Sequence, residues 1–315
     1  MSGETAAVSH LSVVMTTDQG ETMTTASENC VTSSTSSSRG ADLYFCCLVL
    51  IIGVTGTAAN GLVLYALVAS KQHKKHELIV NQNALDLYSC LCLVITYGLS
   101  LFNMHLTGSF GYWLCMLLLS NGLLYCGLYA SYINLMLISI ERYLKVVHPA
   151  WSNKYLCKRM TYAAIACAWI AGFVHEMAFA FDTSAVIDGV CFGYVIANNP
   201  KKLATGIYYV VFTYVFVLVI FVICYGKIVI VVRRQARVMA GHGEAHQNPA
   251  LHQLQTDVIK TMILVCAFYA ICWLPDKILI LLVSLDLSLT YLDSGAYVTL
   301  FIGFLYICTN LTTII

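Results

Sequence analysis

The chain has 315 residues, of which 59% are apolar and only 10% charged, against about 45–50% and about 25% in an ordinary soluble domain. With a mean hydropathy of +0.76 and a net charge of +1, it has too few charges to cover a water-exposed surface and no basic run that would suggest a nucleic-acid partner. The 14 cysteines are too sparse for an extracellular disulfide scaffold and fall mostly within apolar runs, so the composition is that of an integral protein of the lipid bilayer.

Residues 1–40 are polar, rich in Ser and Thr (most densely at 32–38), and without helix or strand periodicity. They read as a disordered tail, with residues 41–315 forming one membrane domain. The apolar stretch Leu11–Met15 is shorter than the about 7–15 residues of a cleaved signal's core. The first spanning helix must then act as its own insertion signal.

A spanning helix needs about 17–25 mostly apolar residues. Seven segments qualify: Leu43–Ala69, Leu78–Leu101, Tyr112–Ile140, Met160–Phe181, Leu203–Val232, Val258–Val283 and Gly295–Ile315. These runs are continuous, whereas a membrane barrel shows short alternating segments. The predicted fold is an all-α bundle of seven transmembrane helices that ends in or just after the seventh.

Orientation follows from the basic residues. Lys71, Lys74 and Lys75 follow helix one; Arg142, Lys145, Lys154, Lys158 and Arg159 follow helix three; Lys227, Arg233, Arg234, Arg237 and Lys260 flank the gap between helices five and six. Only Arg39, Lys201, Lys202 and Lys277 lie on the other side. The rich side is cytoplasmic, which puts the N-terminus outside. Outside too are Glu4, Asp18, Glu21, Glu28, Asp42, Asp182, Asp188, Asp276, Asp286 and Asp293. Such a face draws cationic ligands, although a plain solvated acidic loop has the same composition.

Several polar residues fall inside these helices. Asp86, in Asn81-Gln-Asn-Ala-Leu-Asp86, places a carboxylate where it costs about 2.5–3.5 kcal/mol, so it must face the bundle and meet partners. Glu141-Arg142-Tyr143 closes helix three; neighbouring side chains diverge by about 100°, yet Glu141 is expected to hold Arg142 at short range. In Cys272-Trp273-Leu274-Pro275 the proline removes a backbone hydrogen bond and kinks the helix. An aromatic just before that hinge couples the outer cavity to the inner half. Cys115 and Cys191 both fall on the outer side, where a bridge would tie the loop 182–202 across the bundle mouth; Cys30 is the other cysteine outside.

Together these residues resemble a rhodopsin-like (class A) G-protein-coupled receptor over about residues 41–310. The matching positions are Asn60 and Val63, Asn81 and Asp86, Glu141-Arg142-Tyr143, Trp169, Tyr225, Cys272-Trp273-Leu274-Pro275 and Asn310, one set per helix in order. The resemblance implies a polar core of Asn60, Asp86, Ser131 and Asn310 holding an allosteric sodium ion at Asp86. The sequence has no nucleophile–base set or metal-ligand spacing, so no enzymatic activity and no other cofactor or metal is expected. Glu141, Arg142, Tyr143 and Tyr225 would form the switch that couples to a heterotrimeric G protein. Tyr269, Cys272, Trp273 and Pro275 would form the activation hinge, and Cys115–Cys191 the outer disulfide. The chain would then sit in the plasma membrane as a multi-pass receptor.

The sequence departs from the family pattern in several places. The usual helix-three cysteine position falls on Leu117, two residues after Cys115; helix five has Val217 near its customary proline; and Tyr269 replaces a phenylalanine. The helix-seven motif Asn-Pro-x-x-Tyr reads Asn310-Leu-Thr-Thr-Ile314, followed only by Ile315. An amine ligand would want an acid where Leu124 stands, and retinal a lysine within Gly295–Ile315, which has none. The remaining resemblance is to peptide-receptor branches, galanin-like among them. Two other readings stay open: a non-signalling or decoy receptor, favoured by the altered helix seven, and a transporter using Asp86 and Glu176.

Overall fold

The computed structural model describes residues 28–71, 76–102, 104–193, 199–241, 249–285 and 292–309. Six helices within them are long and apolar enough to cross a membrane, and Tyr297–Ile307 adds a shorter apolar helix. Every backbone polar group in hydrocarbon must be satisfied internally, and a helix does this with its own hydrogen bonds. The first span is α1 (Glu28–Ala69), which begins inside the stretch expected to be irregular; residues 1–27 lie outside the described ones. The second is α2 (Glu77–Ser100).

The third span is broken rather than continuous. It comprises α3 (Gly108–Leu114), a π-turn at Cys115–Leu119, and α4 (Gly122–Val147). Between turn and helix, Asn121 adopts the left-handed conformation with φ 63°. A π-turn carries an extra residue relative to an α-helix. The π-turn and the left-handed break at Asn121 together go with Cys115 standing two residues ahead of the expected position, since the family spacing presumes an unbroken helix.

The short α5 (Pro149–Tyr155) leads to α6 (Lys158–Thr183), the fourth span. The fifth is α7 (Asn199–Val210), a second π-turn at Val211–Val215, and α8 (Phe216–Gly241). The sixth is α9 (Pro249–Ser284) with Pro275 inside it, and the seventh is α10 (Leu292–Thr309). Packing closes a ring: α1 against α2 and α10, α10 against α9, α9 against α7, and α4 at the centre against α2, α6 and α8. The third span is 61% buried along its apolar window, the fourth only 22%. The chain thus surrounds the third span and shows the fourth to lipid.

Lipid offers no hydrophobic drive for helix association, so close approach through small residues matters. A Cβ on Gly172 would lie 2.7 Å from the Cys126 carbonyl oxygen and 2.9 Å from Ala130, so α6 can seat against α4 only with glycine there.

Beyond α6 the chain forms a hairpin of β1 (Ala185–Ile187) and β2 (Val190–Phe192), with Val186 opposite Cys191. Its turn, Asp188-Gly189, has φ 52° and 79°, the positive pair that a tight two-residue hairpin turn requires. Cys191 is bonded to Cys115 with Cα atoms 5.4 Å apart. Leu106 and Leu119 pack on this bridge, and the Leu106 N–H donates to the Gly189 carbonyl at 2.9 Å. The hairpin is thereby held against one end of the bundle, the disulfide end.

Gly172→Ala is expected to lower the melting temperature of the purified protein by several degrees, since overpacking costs about 1–3 kcal/mol. Gly61→Ala, with open space around the site, should leave it unchanged or slightly raised. A thermal shift series in detergent checks both.

Candidate functional site

At the centre of the bundle, Asp86 is 2% exposed. Its Oδ1 accepts hydrogen bonds from Gln82 Nε2 at 3.1 Å and Ser131 Oγ at 3.3 Å, and Gln82 Nε2 also donates to Ser131 Oγ at 2.5 Å. Gln82 and Asp86 are four residues apart on α2 and therefore share a face. Asn134, one turn after Ser131 on α4, donates through Nδ2 to Gln82 Oε1 and to the Leu78 carbonyl, both at 2.9 Å. Its Oδ1 accepts from Asn81 Nδ2 at 2.9 Å, and Asn81 Oδ1 accepts from Trp169 Nε1 at 3.0 Å. A relay Trp169–Asn81–Asn134–Gln82–Asp86 thus binds the fourth, third and second spans together.

Of the four residues expected in the polar core, the structure joins Asp86 and Ser131. Asn60 is buried but donates to the Gly56 carbonyl at 3.0 Å and to Cys90 Sγ at 3.8 Å. Asn310 lies outside the described residues. Gln82 and Asn134 were not singled out from sequence, although the four-residue spacing of Gln82 before Asp86 was a usable signal.

At the opposite end from the disulfide, the expected contact of Glu141 with Arg142 is not made. Glu141 Oε1 instead takes Lys145 Nζ at 2.5 Å. The reason is helical geometry: residues four apart face each other and adjacent ones do not. Arg142 Nε is buried without a hydrogen-bond partner among the described residues. Burial, then the charges of Arg142 and Lys145, lowers the pKa of His76 at the entry to α2. Tyr143 hydrogen-bonds His148 Nε2 at 3.2 Å. Ser139, one turn before Arg142, donates to the buried Tyr225 hydroxyl at 3.2 Å, so Tyr225 on α8 sits beside this end of α4.

Between the two ends lies an aromatic cluster. Trp273 is 1% exposed, 5.6 Å edge-on from Tyr132 and 6.5 Å from Tyr306. Tyr269 lies 5.0 Å from Tyr132 and 5.8 Å from both Phe221 and Tyr306. Cys272 is buried between them in sequence, and Pro275 follows within α9. Two tyrosine hydroxyls cross between the fifth and sixth spans. Tyr269 donates to the Thr213 carbonyl inside the π-turn, and Tyr214 donates to the Ala270 carbonyl at 2.7 Å. Two departures from the family pattern therefore belong together. The fifth span makes a wide turn without its proline, and the hydroxyl that replaces phenylalanine caps a carbonyl in that turn.

Nearer the disulfide end is a buried charged cluster that sequence reading did not assemble. Asp276 Oδ2 pairs with Lys277 Nζ at 2.9 Å. Lys277 Nζ also lies 4.6 Å from the Tyr209 ring centre and 5.1 Å from that of Trp273, within cation–π range. Glu176 is buried on α6, pairs with His175 Nδ1 at 3.0 Å, and lies within electrostatic reach of Lys277. His175 stacks on Tyr129 at 4.1 Å. Charges at such depth are costly and in membrane proteins mark functional sites.

Tyr269→Phe removes the donor to the buried Thr213 carbonyl, and an unmet buried acceptor costs about 1–3 kcal/mol. The melting temperature should fall by several degrees, whereas Tyr208→Phe, at a residue 44% exposed, should not move it. An unchanged value for Tyr269→Phe would remove the hydroxyl from the account of this joint.

Residues 59–310 match the family described as 7 transmembrane receptor (rhodopsin family). Human C-C chemokine receptor type 8 is 25% identical over 280 residues, covering 84% of this chain and 72% of that receptor. Melanopsin-B of Gadus morhua is 26% identical over 239 residues, 72% of this chain and 38% of its own length. Human galanin receptor type 2 is 24% identical over 240 residues, 75% of this chain and 59% of that receptor. The chain is a multi-pass membrane protein and belongs to the rhodopsin family of seven-transmembrane receptors.

Proposed function

We propose that the chain is a plasma-membrane receptor, N-terminus outside, that converts binding of an extracellular peptide into activation of a heterotrimeric G protein. The observation that carries this reading is the polarity of the bundle. A buried cluster of two carboxyl groups and one ammonium (Glu176, Asp276, Lys277) lies toward the disulfide end. A buried guanidinium nitrogen without a partner among the described residues, on Arg142, lies at the other. The Trp273 cluster and the tyrosine pair between the fifth and sixth spans connect them.

The ligand class follows from the same cluster. A basic side chain of a peptide would displace Lys277 from Asp276, one residue beyond Pro275, and so bring its charge to the hinge. Similarity to chemokine and galanin receptors supports a peptide, and the absence of lysine in 295–315 speaks against retinal. On the inner side, the pairing of Glu141 with Lys145 leaves Arg142 available to a G-protein α subunit when α9 moves. Ligand and G protein would then be reciprocally coupled through one two-state bundle.

The test is nucleotide exchange in membranes of cells expressing the chain, challenged with a panel of basic peptides and with galanin and C-C chemokines. Arg142→Ala should reduce stimulated exchange to background with surface expression unchanged; undiminished exchange overturns the mechanism. Asp276→Asn should raise the half-maximal concentration of a basic peptide about tenfold, the equivalent of about 1.4 kcal/mol, and leave the maximal response intact.

A further inference from the structure

The family implies a sodium ion against Asp86, and the described residues around that carboxylate do not fit one. A hard cation is held by oxygen ligands. Here the atom that meets both Asp86 Oδ1 and Ser131 Oγ is the amide nitrogen of Gln82, 3.1 Å from one and 2.5 Å from the other, and the two oxygens are joined directly at 3.3 Å. We infer that the Gln82 amide serves as a built-in substitute for the cation, so that this receptor core is closed by its own side chain and insensitive to sodium.

The orientation of that amide decides the matter, because its other end would present oxygen. It is set by the ends of the relay. The Trp169 indole N–H is a donor only, so Asn81 must turn its oxygen toward it. Asn81 is left with nitrogen for Asn134 and meets the Asn134 oxygen. The nitrogen of Asn134 then faces the Leu78 carbonyl, an acceptor only, and Gln82 Oε1. With its oxygen so engaged, Gln82 has only N–H groups to offer Asp86 and Ser131. Turning the amide over would place oxygen against the carboxylate and nitrogen against the donor of Asn134, two repulsive contacts in a buried site where an unmet polar group is costly. A donor-only residue on the fourth span thus determines the electrostatics at Asp86, three amides away. The partial positive charge of the amide hydrogens supplies in neutral form what the ion would supply as a full charge.

The inference does not depend on the ligand or on G-protein coupling. The test is the melting temperature of the purified full chain in nanodiscs, titrated with sodium chloride against choline chloride at equal ionic strength. The unaltered protein should show no sodium-specific change. Gln82→Leu, which removes the amide, should acquire a rise of at least about 2 °C, the shift expected when sodium is about tenfold above its dissociation constant. Gln82→Met, closer in shape, serves if the leucine variant does not fold. A sodium-specific rise in the unaltered protein that Asp86→Asn abolishes would overturn the proposal. So would an absence of response in folded Gln82 variants, since Gln82 would then not be what excludes the ion.

Discussion

A carboxylate placed in hydrocarbon is stable only if donors surround it, and Asp86 makes this demand on the middle of the bundle. The reply comes from three spans at once. Gln82 answers from the same helix, Ser131 from α4, and Asn134, Asn81 and Trp169 extend the chain of donors to α6. A buried network of this kind is stabilising only when every member is satisfied. It therefore acts as a register lock: sliding α4 or α6 by one turn would leave several polar groups without partners in lipid. The close contact of Gly172 with Cys126 and Ala130 lets α6 approach closely enough for Trp169 to reach Asn81.

Around that fixed centre the backbone is less regular than a bundle of uninterrupted helices. The third and fifth spans each carry a π-turn, and each irregularity is secured by a side-chain contact. At Cys115–Leu119 the disulfide to the β-hairpin anchors the turn. At Val211–Val215 the hydroxyl of Tyr269 satisfies the Thr213 carbonyl. Both turns lie in the half of the bundle nearer the disulfide. Toward Arg142, α4 and α8 are unbroken.

The number of spans was legible because continuous apolar runs in lipid have one backbone solution. The proximity of Asp86 and Ser131 was legible through the resemblance to the receptor family. What was not legible depended on choices among equivalent partners. Glu141 could reach Arg142 or Lys145, and helical geometry selects Lys145. Within Asn81-Gln82-Asn83 the four-residue spacing points to Gln82 as the amide beside Asp86, but nothing local says which end of that amide faces the carboxylate; that follows from Trp169, far along the chain on another span. The π-turns leave no compositional mark of their own; the offset of Cys115 and the departures at Val217 and Tyr269 were their traces. The hairpin left a clearer sign in Asp188-Gly189, a pair suited to positive φ, within a loop read only for its cysteine and its charges.

The two tyrosine hydroxyls that cross between the fifth and sixth spans run in opposite directions between adjacent positions, from 269 to 213 and from 214 to 270. Turning or lifting either helix far enough to break the first bond breaks the second as well. Such a reciprocal clasp has no half-made form, so the joint is cooperative on the scale of a single residue pair. Any separation of the sixth span from the fifth at this joint therefore has to release both hydroxyls.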